Sequence, residues 1–504
     1  MPHTYIKYSL SRTAHDGVIV VTGRVIGLVV NMVTQILIGR VLGVNIYGLY
    51  TLGRTISEVP QVLGKFGLEN TVIRFITLAS TRGSSADILT IIKKAFTWMV
   101  LISIVVYGLL YLTSDDLANR VFSKPDLSPV ILDFIPWMMA FSALGLSVAC
   151  IRALNRLRLH TVLFDLAYPV TLLILVGISI RSSAGLAGII HSMSAAAIGV
   201  LIIALILLYR MTPRVHHPAD AQPDNASGMM SFSLIMTMTN LSQILSSHMD
   251  RILLGVLSDN TQLGLFGAAQ LFALQTSFFL AVSNTVFSPI YAATHHAGDN
   301  EELARVFKFA TRWTITLTLP LAFVLLLFNK PILTLFGAHF YKAGNILIIL
   351  VIAQLINVSV GGVGVLLNMG GKQVVAMINN WLFVILNLVL GLSLIPAYGA
   401  FGAAIATAIC IAALNLIRLF QVYRYFSMHP FSKWLWRPIG IMILIYAIYL
   451  LADHYGLVSL VPSPVSAALF ILIYLGLIWT VAAEQEDKDI LTGMVSDRSK
   501  RVHV

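Results

Sequence analysis

The chain has 504 residues, 58% of them hydrophobic and only 11% charged, with a mean hydropathy of +0.86. Soluble domains are nearer half apolar and about a quarter charged, so this chain has too little polar surface to cover a globular fold in water. A soluble enzyme, a disulfide-stapled secreted domain and a disordered chain are excluded, and the net charge of +11 needs a cause within a membrane protein.

About 290 apolar residues, at roughly 20 per spanning helix, leave room for about fourteen crossings. The expected class is an all-α polytopic membrane protein. The first sixteen residues are polar, with Lys7 and Arg12, and the first apolar run outlasts a signal peptide, so it is expected to stay as an anchor. In chain order, apolar stretches of spanning length fall near 17–39, 45–67, 89–113, 129–151, 161–181 and 184–209. They resume near 231–254, 261–289, 307–328, 344–367, 375–396 and 399–421, with two more near 438–452 and 464–483.

An even number of spans puts both termini on one side. That side collects 23 of the 33 basic residues, among them Lys93, Lys94, Arg152, Arg210, Arg305, Lys372 and Arg424. The opposite side holds seven, including Arg40, Lys124 and Arg251, and Arg24, Arg54 and Lys65 lie within spans. The positive-inside rule therefore places the termini in the cytoplasm. The basic charge is an insertion signal, and nucleic acid drops out as a partner. Cys150 and Cys410 sit in apolar runs, so neither a disulfide nor a zinc site is expected. No phosphate loop, nucleophile constellation or metal-ligand spacing appears, which predicts no catalytic residues, no metal and no cofactor.

The two halves resemble each other at a nearly constant offset. Gly185 and Gly188 recur as Gly399 and Gly402, and Tyr209-Arg210 as Tyr423-Arg424, 214 residues later. Gly48-Leu49-Tyr50 recurs as Gly264-Leu265-Phe266. Six spans precede each repeat end, so the repeat is parallel, a layout used by transporters with a site between the lobes. The expected organisation is a six-helix lobe over 1–210, a cytoplasmic linker over 211–228, a second lobe over 229–424, and two extra helices with a tail over 425–504.

Polar side chains within spans are costly and mark function by default. Arg24, Asn31 and Gln35 share one face of the first span, and Arg54, Glu58, Gln61 and Lys65 form a stripe on the second. Their repeat mates carry Asn240, Gln243, Ser247 and Asp250, then Gln270, Ser277 and Asn284. The first stripe counts three cations to one anion, which suits an anionic cargo, because guanidinium binds phosphate oxygens through a two-pronged fork. The expected substrate-binding set is Arg24, Arg54, Asn31, Gln35, Gln61, Lys65, Asn240, Gln243 and Gln270, with Glu58 and Asp165 as candidates for ion coupling. Three plainer readings stand beside it: Arg54 and Glu58 neutralise each other as an i,i+4 pair, Arg24 pairs with Asp165, and Lys65 snorkels to the interface.

The stretch IGRVLGVNIYGLYTLG from Ile38 to Gly53 resembles the entrance to the second span of bacterial polysaccharide-transport proteins. These are the repeat-unit flippases of the multidrug/oligosaccharidyl-lipid/polysaccharide exporter superfamily. DRILLGVLSDNTQLGLFGAAQ, from Asp250 to Gln270, repeats it, and FGAHFYKAGNILIIL, from Phe336 to Leu350, is similar to the family's tenth-span opening. The resemblance implies two helical lobes, alternating access, and a cargo of sugar units on a polyprenyl diphosphate, moved from the cytoplasmic to the outer leaflet. Its implied partners are the lipid-linked oligosaccharide, membrane lipids and a polysaccharide polymerase complex. Two relatives stand as alternatives. Lipid II flippases carry an Asp-containing "T-D-A-F" pattern that is absent here, and multidrug antiporters usually have twelve spans and a cavity suited to cations.

Overall fold

The computed structural model describes residues 2–81, 85–212, 228–431, 436–455 and 463–478. The expected linker over 211–228 lies almost wholly outside the described residues, as does the C-terminal tail. The described elements are helices throughout: α1 (Pro2–Lys65), α2 (Leu68–Thr81), α3 (Ser85–Asp116), α4 (Leu127–Ala153), α5 (Leu157–His160), α6 (Tyr168–Arg181) and α7 (Gly185–Met211). Then follow α8 (Met229–Leu257), α9 (Asn260–Gln275), α10 (Phe278–His296), α11 (Asn300–Leu327), α12 (Asn329–Leu333), α13 (Gly344–Ser359), α14 (Val363–Met369), α15 (Gln373–Phe426), α16 (Trp436–His454) and α17 (Ser463–Leu477).

Among the described residues, eight helices are long and apolar enough to cross a membrane, and the broken pair α9 and α10 makes a ninth. Two of the eight run for 60 and 54 residues, about twice what a bilayer requires. Each breaks at a glycine, Gly43 at φ 70° and Gly399 at φ 56°. The helices α8, α16 and α17 coincide with further stretches expected to span. The chain is an all-α, multi-pass membrane protein. Gly185 and Gly399, one repeat apart, both have positive φ, a conformation that costs any residue with a Cβ about 1–2 kcal/mol. The repeat is thus visible in backbone geometry at the turn into its last helix.

The described chain falls into two compact units. One comprises Met1–Leu271, Leu333–Ile346 and Met377–Thr407. Its core joins α2, α3, α4 and α7 through Leu68, Val72, Ile92, Met99, Leu144, Ile151 and Val200. Lipid is as apolar as leucine, so helices here associate by close packing and not by exclusion from water. The buried small residues Ala140, Gly145, Ser147 and Ala149 of α4, with Ala196, Ala197 and Ala204 of α7, meet that need. Leu101, Ile104, Val105, Leu109 and Leu112 of α3 are exposed and suit lipid.

Within this unit the second arm of α1 crosses α9 at a backbone-to-backbone contact. A Cβ added to Gly48 would sit 1.8 Å from the Asn260 carbonyl oxygen, and one added to Gly264 would sit 2.1 Å from that of Val44. Gly48 and Gly264 are repeat mates, as are Val44 and Asn260. The contact is therefore reciprocal, as a local two-fold axis requires. Lys124 ties the end of α8 by donating to the carbonyls of Gly255 and Ser258, the latter at 2.8 Å.

The other unit comprises Phe272–Ile332, Leu347–Ala376 and Ala408–Val504. Tyr291, Leu303, Phe307, Val363, Leu366 and Val422 form one core. The extra helices α16 and α17 pack on α11 through Met442, Ile445, Phe470 and Tyr474, and the Tyr474 hydroxyl donates to the Thr316 carbonyl at 3.1 Å. Ser277, Gln354, Asn357 and Asn415 link by side-chain hydrogen bonds.

Candidate functional site

The polar stripe on the second arm of α1 meets α8 inside the first unit, and α9 and α15 bond the same stretch of α8. Arg54 donates from Nε to Glu58 Oε1 at 3.0 Å, one turn along the same helix. The other carboxylate oxygen, Glu58 Oε2, lies 2.7 Å from Nε2 of His248 on α8. One turn further along α8, Arg251 donates from Nε to Gln270 Oε1 at 2.6 Å. Gln270 in turn donates from Nε2 to Asp250 Oδ2 at 3.0 Å. Asp250 also accepts the Arg251 backbone N–H at 2.7 Å and the Thr407 hydroxyl at 3.5 Å.

A charged side chain at the centre of a helix costs about 2.5–3.5 kcal/mol on insertion scales. Here two arginines and two carboxylates offset one another, and Glu58 lies within Coulombic reach of Arg54, His248 and Arg251. Among the described residues, neither guanidinium has a side-chain partner beyond its Nε contact. The terminal nitrogens of both are thus left to offer, and the Arg54 side chain is 31% exposed. Such a fork suits phosphate or carboxylate.

The remaining expected site residues are placed as follows. Arg24 pairs with Asp165 at 3.6 Å. Asp165 lies in the π-helical turn Thr161–Ala167, which approaches α1 so closely that a Cβ on Gly27 would strike the Asp165 carbonyl. Lys65 pairs with Glu69 at 3.0 Å and lies over the Phe141 ring. Gln35 is buried and donates to the Tyr50 hydroxyl at 3.3 Å. Gln61 is buried with its Nε2 unpartnered. Asn31 and Gln243 are exposed, and Asn240 is half-buried.

Each cation of the first stripe therefore has its own carboxylate, and the count of three cations to one anion becomes three to three. Asp165 and Glu69 were outside that count because they belong to neighbouring segments. His248 and Arg251 were not among the expected site residues. Arg251 was counted with the outer loops, yet it lies within α8, six residues before its end at Leu257. A signal existed for both: each is a titratable residue inside an apolar run, three apart, and so on one helical face.

Residues 37–345 match the polysaccharide biosynthesis protein family. The chain belongs to that family. Membership covers the second arm of α1, α8 and α9, and so Arg54, Glu58, His248, Arg251 and Gln270 lie within the family's own region. A family relative in Haloferax volcanii, named a probable low-salt glycan biosynthesis flippase, Agl15, is 25% identical over 260 residues. That match spans about half of each protein, 50% of this chain and 53% of the relative. Among solved structures, the lipid II flippase MurJ in an inward closed conformation has a TM-score of 0.69 at 13% identity, covering 92% of this chain and 98% of that one. An inward-facing multidrug-resistance MATE transporter has a TM-score of 0.61 at 10% identity, covering 79% and 98%. At such identities the likeness is one of fold.

Proposed function

We propose that the protein is a flippase for lipid-linked oligosaccharides, moving a sugar unit on a polyprenyl diphosphate from the cytoplasmic to the outer leaflet for cell-surface polysaccharide synthesis. The observation that carries this reading is the constellation on α1 and α8, where Arg54 and Arg251 each commit only Nε and hold their remaining donors within membrane-spanning helices. Family membership supplies the pathway class, and the Haloferax relative's name supplies the glycan. The diphosphate meets Arg54, Arg251 and Arg24, while Asn31, Gln35, Gln61, Lys65, Asn240, Gln243 and Gln270 contact sugar or line its route. The cationic fork offsets lost phosphate hydration, a large cost for a buried anion, and the polyprenyl chain stays in lipid. No bond is made or broken, so the protein is a transporter and not an enzyme.

In the same reading the lobes span 1–210 and 229–424, the termini and the 211–228 linker are cytoplasmic, and the host membrane is the inner one. Ion coupling runs through Glu58 or Asp165, and a polymerase complex receives the exported unit. The test is reconstitution: purified protein in liposomes, with a fluorescent lipid-linked sugar whose outer-leaflet fraction is read by a membrane-impermeant quencher. Accelerated exchange that is lost in Arg54→Ala is the expected result. Equal exchange of a sugar-free, phosphate-free lipid would refute the assignment.

A further inference from the structure

His248 is a titratable side chain about nine residues, or roughly 13 Å, from the end of α8. Its side chain is 15% exposed. An ionised carboxylate can only accept, so at 2.7 Å from Glu58 Oε2 the hydrogen sits on Nε2 of the ring. The other nitrogen, Nδ1, is buried and has no partner among the described residues. In a neutral ring that atom is a bare lone pair. In a protonated ring it is an N–H with nothing to donate to. A phosphate oxygen placed beside it supplies the missing acceptor.

The charges around the ring sharpen the point. From α1 it faces Glu58 and, beyond that, Arg54; from its own helix, Asp250 and Arg251 are the neighbouring charges; Gln270 of α9 and Thr407 of α15, which carry no charge, bond Asp250. Tyr47, Tyr50 and Tyr168 complete the surroundings of Arg54 and Glu58 and, as neutral phenols, add no charge. With a neutral ring, Arg54, Glu58, Asp250 and Arg251 sum to zero. With a protonated ring the constellation carries one positive charge. The imidazole can carry or lack that proton, so the ring alone switches the charge of the constellation.

We propose that the site takes a diphosphate together with one proton, held on Nδ1 of His248. The inference rests on the anionic-cargo reading above and adds the co-bound proton to it. The proton comes from water as the anion enters, and returns to water when the anion leaves. Cargo affinity and ring protonation are then reciprocally linked, by up to about tenfold per pH unit for one proton.

The test uses the purified full-length protein and a short-chain prenyl-diphosphate sugar, a diester whose own charge is constant between about pH 5.5 and 8. Titration calorimetry in two buffers of unlike ionisation enthalpy counts protons taken up per ligand bound. In the wild type, uptake approaching one proton is expected near neutral pH, with binding tightening at least about tenfold from pH 8 to about 6. His248→Gln, never charged, and His248→Arg, always charged, should each bind with a flat pH profile, the second more tightly than the first. Binding by the wild type without proton uptake overturns the proposal, and so does a pH slope that survives in either variant. The absence of binding at every pH instead removes the anionic-cargo reading, and the proposal goes with it.

Discussion

The crossing of α1 and α9 allows a prediction independent of cargo. Alanine at Gly48 places a carbon 1.8 Å from the Asn260 carbonyl oxygen, and alanine at Gly264 places one 2.1 Å from that of Val44. Ordinary carbon-to-oxygen contacts lie near 3.3–3.6 Å, so the helices must part by about 1.5 Å in either case. The obstacle is backbone, which no side-chain rotation relieves, so each substitution belongs at the upper end of the overpacking range, about 3 kcal/mol. Fluorescence-monitored unfolding in detergent should show Tm falling by on the order of 5 °C for each variant. Because one separation relieves both clashes, the double variant should cost clearly less than the sum of the two singles. Gly48→Ala and Gly264→Ala should therefore be nearly equal alone and redundant together. An unchanged Tm for either, or full additivity, would refute the reciprocal crossing.

The remaining predictions concern charge and topology. Arg54→Ala should abolish export at normal membrane expression, and Arg54→Lys should retain a partial rate, having the charge without the fork. Restored export in the Arg54→Met, Glu58→Gln double variant would show that Arg54 serves only its neighbour. Arg24→Ala should also stop export, whereas a rescue by Arg24→Gln with Asp165→Asn would reduce the 3.6 Å pair to scaffolding. Single cysteines placed in the 211–228 linker should react with impermeant maleimide only after cells are broken. Cys150 and Cys410 are buried and give little background.

Much of this protein was legible in its residues because membranes make local pattern decisive. Every backbone polar group in lipid must be satisfied internally, so apolar runs of about 20 residues commit to helix. The spans, the near-constant repeat offset and the turn glycines Gly185 and Gly399 follow from reading along the chain. So does the Arg54–Glu58 pair, since side chains four residues apart share a helical face. The break of the eighth span at 276–277 falls on the polar triplet Gln275-Thr276-Ser277, yet a polar triplet inside a span does not by itself say whether the helix continues or bends.

What the residues alone did not disclose is which stripes meet. The contact of Glu58 with His248 joins positions 190 residues apart, and that of Asp250 with Thr407 joins positions 157 apart. The three-to-one count of cations failed for the same reason: Asp165 reaches Arg24 only because a π-helical turn lets two backbones approach at Gly27. Helical periodicity sets the face a side chain occupies and says nothing of the face opposite. That is decided by how closely two helices can pack, and here the glycines Gly48 and Gly264 determine it by leaving room for backbone against backbone.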